Sequence, residues 1–133
     1  MSWRVLLIGV FLNLASVLGA DERLTIVVVP SVAIAPATVR VRATIQPDAD
    51  NRTLEVVAES TDFYSSSQLP LDGDRAPRVK AFEFRSLPSG DLRVTVALVS
   101  VTGRRTVVTR LVTIDSESAA REQSERASRR RAR

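Results

Sequence analysis

Carboxylates at alternate positions mark two short stretches of this chain, Asp48-Ala-Asp50-Asn51 and Asp72-Gly-Asp74. That spacing is how a loop presents oxygen ligands to a hard cation such as calcium. Asp48, Asp50, Asp72 and Asp74 are therefore the candidate metal ligands, sharing one ion if the two stretches meet at the same end of the fold. Neither stretch runs on to the closing glutamate of a full calcium loop, and Asp, Asn and Gly are also the ordinary residues of turns. Plain turns and a calcium site are both open readings, and no other cofactor is expected.

The sequence has no histidine and no cysteine. The usual general base near neutral pH, the thiol nucleophile and the common transition-metal ligands are therefore missing. Ser65-Ser66-Ser67 with Lys80 has the residue types of a serine–lysine dyad, but a polar edge loop and a solvated strand lysine account for the same residues. No enzymatic activity is expected and no catalytic residue is assigned. Asn51-Arg52-Thr53 has the form of an N-glycosylation acceptor, which matters only in a eukaryotic secretory pathway. The match is read as chance.

Two groups of residues are candidates for holding a partner. In Asp62-Phe63-Tyr64, Phe63 is expected in the core and Tyr64 at a rim, where its ring can meet a protein. Arg129, Arg130, Arg131 and Arg133 form a basic cluster. Beside an anionic surface each such charge is worth about 1 kcal/mol, less as salt rises. Lipid headgroups or surface polysaccharide fit the cluster. Nucleic acid is not expected, because no aromatic residues interleave the arginines.

The elements that must position these residues follow a period of two. Val39, Val41, Ala43 and Ile45 alternate with Arg40, Arg42 and Thr44; Leu54, Val56 and Ala58 with Glu55 and Glu59; Leu92, Val94, Val96 and Leu98 with Arg93 and Thr95. This is the pattern of strands with one face in a core and one in water. Leu24 to Val29, Val79 to Phe84 and Thr106 to Ile114 add three more, with a weaker strand at Ser65 to Leu69. Pro30, Pro36, the run Pro47 to Asn51, Asp72 to Asp74, Pro77, Leu87-Pro-Ser-Gly90 and Gly103 punctuate them. Such spacing predicts an all-β fold, an antiparallel sandwich of about seven strands.

Residues 1–20 combine Arg4, an apolar run from Val5 to Leu18 and the small pair Gly19-Ala20. That is the layout of a secretory signal peptide, and it predicts a periplasmic or extracellular protein with no disulfide. Charge divides unevenly over the rest. Residues 21–115, the expected sandwich, carry twelve basic and twelve acidic side chains, whereas residues 116–133 carry six Arg against three Glu. This last segment lacks large apolar residues, so a disordered basic tail with transient helix is expected. Membrane contact is expected only through the signal segment or this tail.

The run FEFRSLPSGDLRVTV, Phe82 to Val96, resembles the corner of immunoglobulin-like and fibronectin-III-like modules. Among these are the carboxypeptidase-regulatory-like domains of exported bacterial proteins. The shared features are an aromatic-x-aromatic strand, a Leu-Pro-x-Gly corner and a following alternating strand, with Leu92 standing where those modules often have tyrosine. The likeness extends loosely over Leu24 to Ile114. It implies an immunoglobulin-like sandwich used for adhesion, spacing or docking, and carries no catalytic residues with it. In structural terms Phe82, Phe84, Leu87, Leu92 and Val94 should point inward, with Pro88 and Gly90 suited to a type I turn. The function expected is a non-catalytic extracytoplasmic binding or structural module, associated with a protein or with the cell envelope. The alternative is a calcium- or carbohydrate-binding sandwich that uses the acidic loops.

Overall fold

A computed structural model describes residues 23–133, so the expected signal segment lies outside the described residues. Where the sequence alternates, the chain forms strands. These are β1 (Leu24–Val29), β2 (Val32–Ile34), β3 (Ala37–Ile45), β4 (Asn51–Ser60), β5 (Phe63–Pro70), β6 (Val79–Leu87), β7 (Gly90–Ser100) and β8 (Arg105–Asp115). A 3-10 turn spans Gly73–Arg75, and a helix, α1, spans Glu117–Arg131. The strands make two sheets, one in the order β1-β3-β6 and one in the order β2-β8-β7-β4-β5.

The described residues thus hold eight strands rather than about seven. The extra one, β2, pairs parallel with β8, so the sandwich is not wholly antiparallel. Pro30 and Pro36 stand on either side of β2. Lacking an N–H, proline cannot continue a ladder, which keeps this strand to three residues.

The apolar faces close on each other. In β3 every second residue is buried, with Val39, Val41 and Ala43 at 1% exposure or less. They join Leu54, Val56 and Ala58 of β4, Leu92, Val94 and Val96 of β7, and Val112 and Ile114 of β8 in one core. Each fully buried Val or Leu contributes about 1.5–3 kcal/mol relative to exposure, and no disulfide supplements them.

The corner between β6 and β7 carries the chain from the three-stranded sheet to the five-stranded one. Phe84 and Leu87 are both buried although they stand three residues apart. An odd spacing would normally put them on opposite faces. The register of β6 against β3 slips between Phe84 and Leu87, and Ser86 sits at φ 55°. Such a bulge inserts one residue and returns Leu87 to the core side. Phe82 is only half-buried, packed against the core margin. At the expected turn the chain bends at Ser89, and Gly90 stands at φ 141°.

Residues 117–131 form a helix where a disordered tail is expected. Ser116 caps it, its Oγ accepting from the Ala119 N–H at 3.2 Å. Arg121 pairs with Glu117 one turn away at 2.6 Å, and Glu117 and Arg129–Arg131 oppose the helix dipole at its two ends. These local terms favour helix, and no residue of α1 is fully buried.

Candidate functional site

The two acidic stretches do meet. The first forms the β3–β4 connection and the second leads into the 3-10 turn after β5. Their backbones touch where Gly73 passes Ala49: a Cβ on Gly73 would lie 3.0 Å from the Ala49 carbonyl oxygen. The Leu71 N–H donates to the Arg52 carbonyl at 2.8 Å, which ties the second stretch to β4. On its other side the first stretch is held to the β7–β8 hairpin by the Val101 N–H, which donates to the Asp50 carbonyl at 2.8 Å.

The side chains at this end are largely engaged in shaping it. Asp48 Oδ1 accepts from the Asp50 N–H at 2.8 Å, an Asx turn. Arg52 Nη1 donates to the Ala49 carbonyl at 2.7 Å. Asn51, 5% exposed, donates its side-chain amide to the Gln46 carbonyl at 3.0 Å. It points inward because the β4–β7 register slips beside it. An amide so placed belongs to the fold and is not available as a glycan acceptor. A cleft of about 130 Å³ at this end is lined by Asp48 and Asp50 together with Arg23 and Arg104, so its charges are mixed. Among the described residues no three acidic side chains come together. The loops adjoin, but Asp48, Asp50, Asp72 and Asp74 do not converge.

Ser65, Ser66 and Ser67 lie on β5, at the edge of the five-stranded sheet, and Lys80 lies on β6 of the other sheet. No hydrogen bond joins them among the described residues. Tyr64, also on β5, is 68% exposed, while Phe63 beside it packs on the core margin. Arg129, Arg130 and Arg131 occupy the last turn of α1, with Arg133 just beyond it, all exposed.

Two further features were not anticipated. Arg105 on β8 forms an ion pair with Glu55 on β4. The outer surface near β8 also carries exposed Val32, Ile34, Val107 and Leu111. The doublets Val107-Val108 and Leu111-Val112 are the sequence signal for the latter, because in a period of two one member of each must face outward.

No protein-family model matches the chain, and no curated protein matches it. Solved structures do. A superoxide reductase (neelaredoxin) from Ignicoccus hospitalis aligns over 71% of this chain and 81% of its own, with a TM-score of 0.57 at 10% identity. A variant of that reductase gives a TM-score of 0.57 at 13% identity, over 72% and 82% of the two chains. A CARDB domain from Pyrococcus furiosus, in complex with di-metal ions, is 18% identical over 71% of this chain and 94% of its own. Its TM-score of 0.43 is too low to carry weight.

The class defined here is the β-sandwich, and its arrangement of three strands against five is consistent with an immunoglobulin-like fold. At these identities the likeness shows the fold alone. It also corrects the expectation that the chain is not an enzyme. That expectation rested in part on reading the sandwich as scaffold, and superoxide reductases share this architecture. The fold therefore gives no ground for excluding catalysis.

Proposed function

We propose that the chain is an exported binding module held at an anionic surface of the cell envelope by α1, leaving the sandwich free to meet a protein partner. One observation carries this reading: Arg129, Arg130, Arg131 and Arg133 are presented at one end of a helix of which no residue is fully buried. A structural helix would spend an apolar face on the core, and this one has none to spend. Clustered guanidinium groups bind anionic headgroups with energies that add per charge and weaken with salt. Export draws on the layout of residues 1–20. Tyr64, exposed on an edge strand, is the contact offered to a protein.

The test is co-sedimentation of the whole chain with phosphatidylglycerol vesicles at low and high salt. A variant carrying Arg129→Gln, Arg130→Gln, Arg131→Gln and Arg133→Gln is run in parallel. Sedimentation that fades with salt and is lost in the variant is expected. If wild type and variant sediment alike, or neither does, the reading is wrong.

A second reading, a calcium site at the adjoining acidic loops, is supported by the Gly73–Ala49 approach alone. A melting temperature raised by calcium but not by magnesium is the result it requires.

A further inference from the structure

A β-sheet edge is an unfinished ladder, and most natural edges are guarded by charge, bulges, proline or short length. Among the described residues, three of the four edges are managed. β2 is three residues long, and the length of β8 that it leaves uncovered carries Arg105 and Arg110 and has β1 alongside. β6 carries Lys80, Glu83 and Arg85. β1 has β8 of the other sheet alongside it and is followed by Pro30. β5 differs from all of these. It runs Phe63–Pro70 without a charged residue, and its register against β4 is unbroken. Its one proline is its last residue.

The ladder parity says which groups of β5 are free. Ser60 pairs with Phe63 across the two-residue turn of Thr61 and Asp62, so Phe63 must be bonded to β4. The Leu71 N–H, bonded to the Arg52 carbonyl, sets the same parity from the other end. Odd-numbered residues of β5 therefore face β4. Tyr64, Ser66 and Gln68 direct N–H and C=O outward, and Pro70 closes the row with no N–H to leave unpaired.

We propose that β5 pairs antiparallel with β5 of a second copy of this chain, about a two-fold axis at Ser66, making one ten-stranded sheet. The strand is complementary to itself in this register. Ser66 faces Ser66, Tyr64 faces Gln68 and Ser65 faces Ser67. Phe63 faces Leu69, and both of these are partly buried residues of the core side. The free groups of Tyr64, Ser66 and Gln68 match in phase, so each residue exchanges both of its bonds with its opposite number. No like charges meet, because the strand holds none. Two-fold closure uses both edges at once and leaves no β5 edge for further growth. This inference stands apart from the vesicle-binding reading and does not need it.

Sedimentation equilibrium of the whole chain should show its mass rising with concentration from 14.5 kDa toward twice that value. Ser66→Lys places two ammonium groups across the axis and should return the protein to monomer with its fold intact, because the residue 66 backbone takes no part in the β4 ladder. The chain has no cysteine, so Ser66→Cys is a specific probe. Directly opposed positions in a bonded antiparallel pair lie within disulfide reach. Under mild oxidation Ser66→Cys should cross-link about tenfold or more faster than Val107→Cys, a control on the same sheet, because pairing raises the local thiol concentration. A mass of 14.5 kDa at all concentrations, a dimer indifferent to Ser66→Lys, or equal cross-linking of the two cysteine variants would each overturn the proposal.

Discussion

Nη2 of Arg105 lies 2.5 Å from Oε2 of Glu55, and the strand between their two strands, β7, runs beneath the contact. The residue of β7 registered against both Glu55 and Val107 is Ala97. It is 3% exposed, yet it lies outside the core cluster, on the outer surface of the sheet. A small side chain at this point leaves room on the outer face for the arginine to reach across β7.

The pair should be visible in the acid limb of stability. The hydrogen bond from Arg105 holds the Glu55 carboxyl below the usual carboxylate range, with desolvation opposing it and the Arg105 charge reinforcing it. A carboxyl depressed in the folded state contributes stability that is present above its unfolded value of about 4.3. That contribution disappears as pH falls through the lower folded value. Glu55→Gln should therefore lower the melting temperature at pH 7 and approach wild type in strong acid. A gap that stays constant from pH 7 to pH 2 would rule out the ion pair as its source. Glu83, held low chiefly by its hydrogen bond from Arg85, adds a second acid-sensitive contact that the Glu55 variant retains.

The corner should be a costly place to remove a single side chain. Leu87 is fully buried and is brought inward by the bulge at Ser86. Leu87→Ala is expected to cost about 2–5 kcal/mol in urea unfolding, the range for truncating a buried leucine. A loss under about 1 kcal/mol would mean that the corner collapses around the gap and does not depend on the plug.

Gly73 and Gly103 separate backbone strain from steric conflict. Both have positive φ, at 54° and 83°, but a Cβ on Gly73 meets the Ala49 carbonyl oxygen at 3.0 Å whereas one on Gly103 meets nothing within 4 Å. Gly103→Ala is expected to cost about 1 kcal/mol for the left-handed backbone alone. Gly73→Ala should cost more, because the contact between the two acidic loops must also open. Equal losses would show that the loops do not press on each other.

Helix α1 should form and melt on its own account. Ser116→Ala removes the cap on the Ala119 N–H, worth about 1 kcal/mol to the helix. Circular dichroism should lose helical signal while the melting temperature of the sandwich stays where it was, since no residue of α1 is buried. A coincident drop in sandwich stability would show that the two are coupled.

How far the fold was legible in the sequence depended on how one-sided each strand is. β3 declares itself through four buried aliphatics alternating with Arg40, Arg42 and Thr44. β2 did not, because three residues are too few to show a period and two of them, Val32 and Ile34, face outward. β5 was only faintly visible, since its serines are polar on both faces. The helix looks like a tail in the sequence because it lacks an apolar stripe, although Ser116 and the Glu117–Arg121 spacing are local signs of it. The candidate site was less legible still. That Asp48 and Asp72 share one end of the molecule follows from long-range pairing, and so does the Glu55–Arg105 bridge across fifty residues. Local pattern carries neither.

The cap at Ser116 follows directly on the last residue of β8, Asp115. A helix of fifteen residues rising about 1.5 Å per residue is a strut of about 20 Å. The arginines at its far end therefore stand at a fixed distance along the helix from Ser116, where a loose chain would give only an average. Inserting or deleting one turn would change that standoff by about 5.4 Å and rotate the basic cluster little about the helix axis.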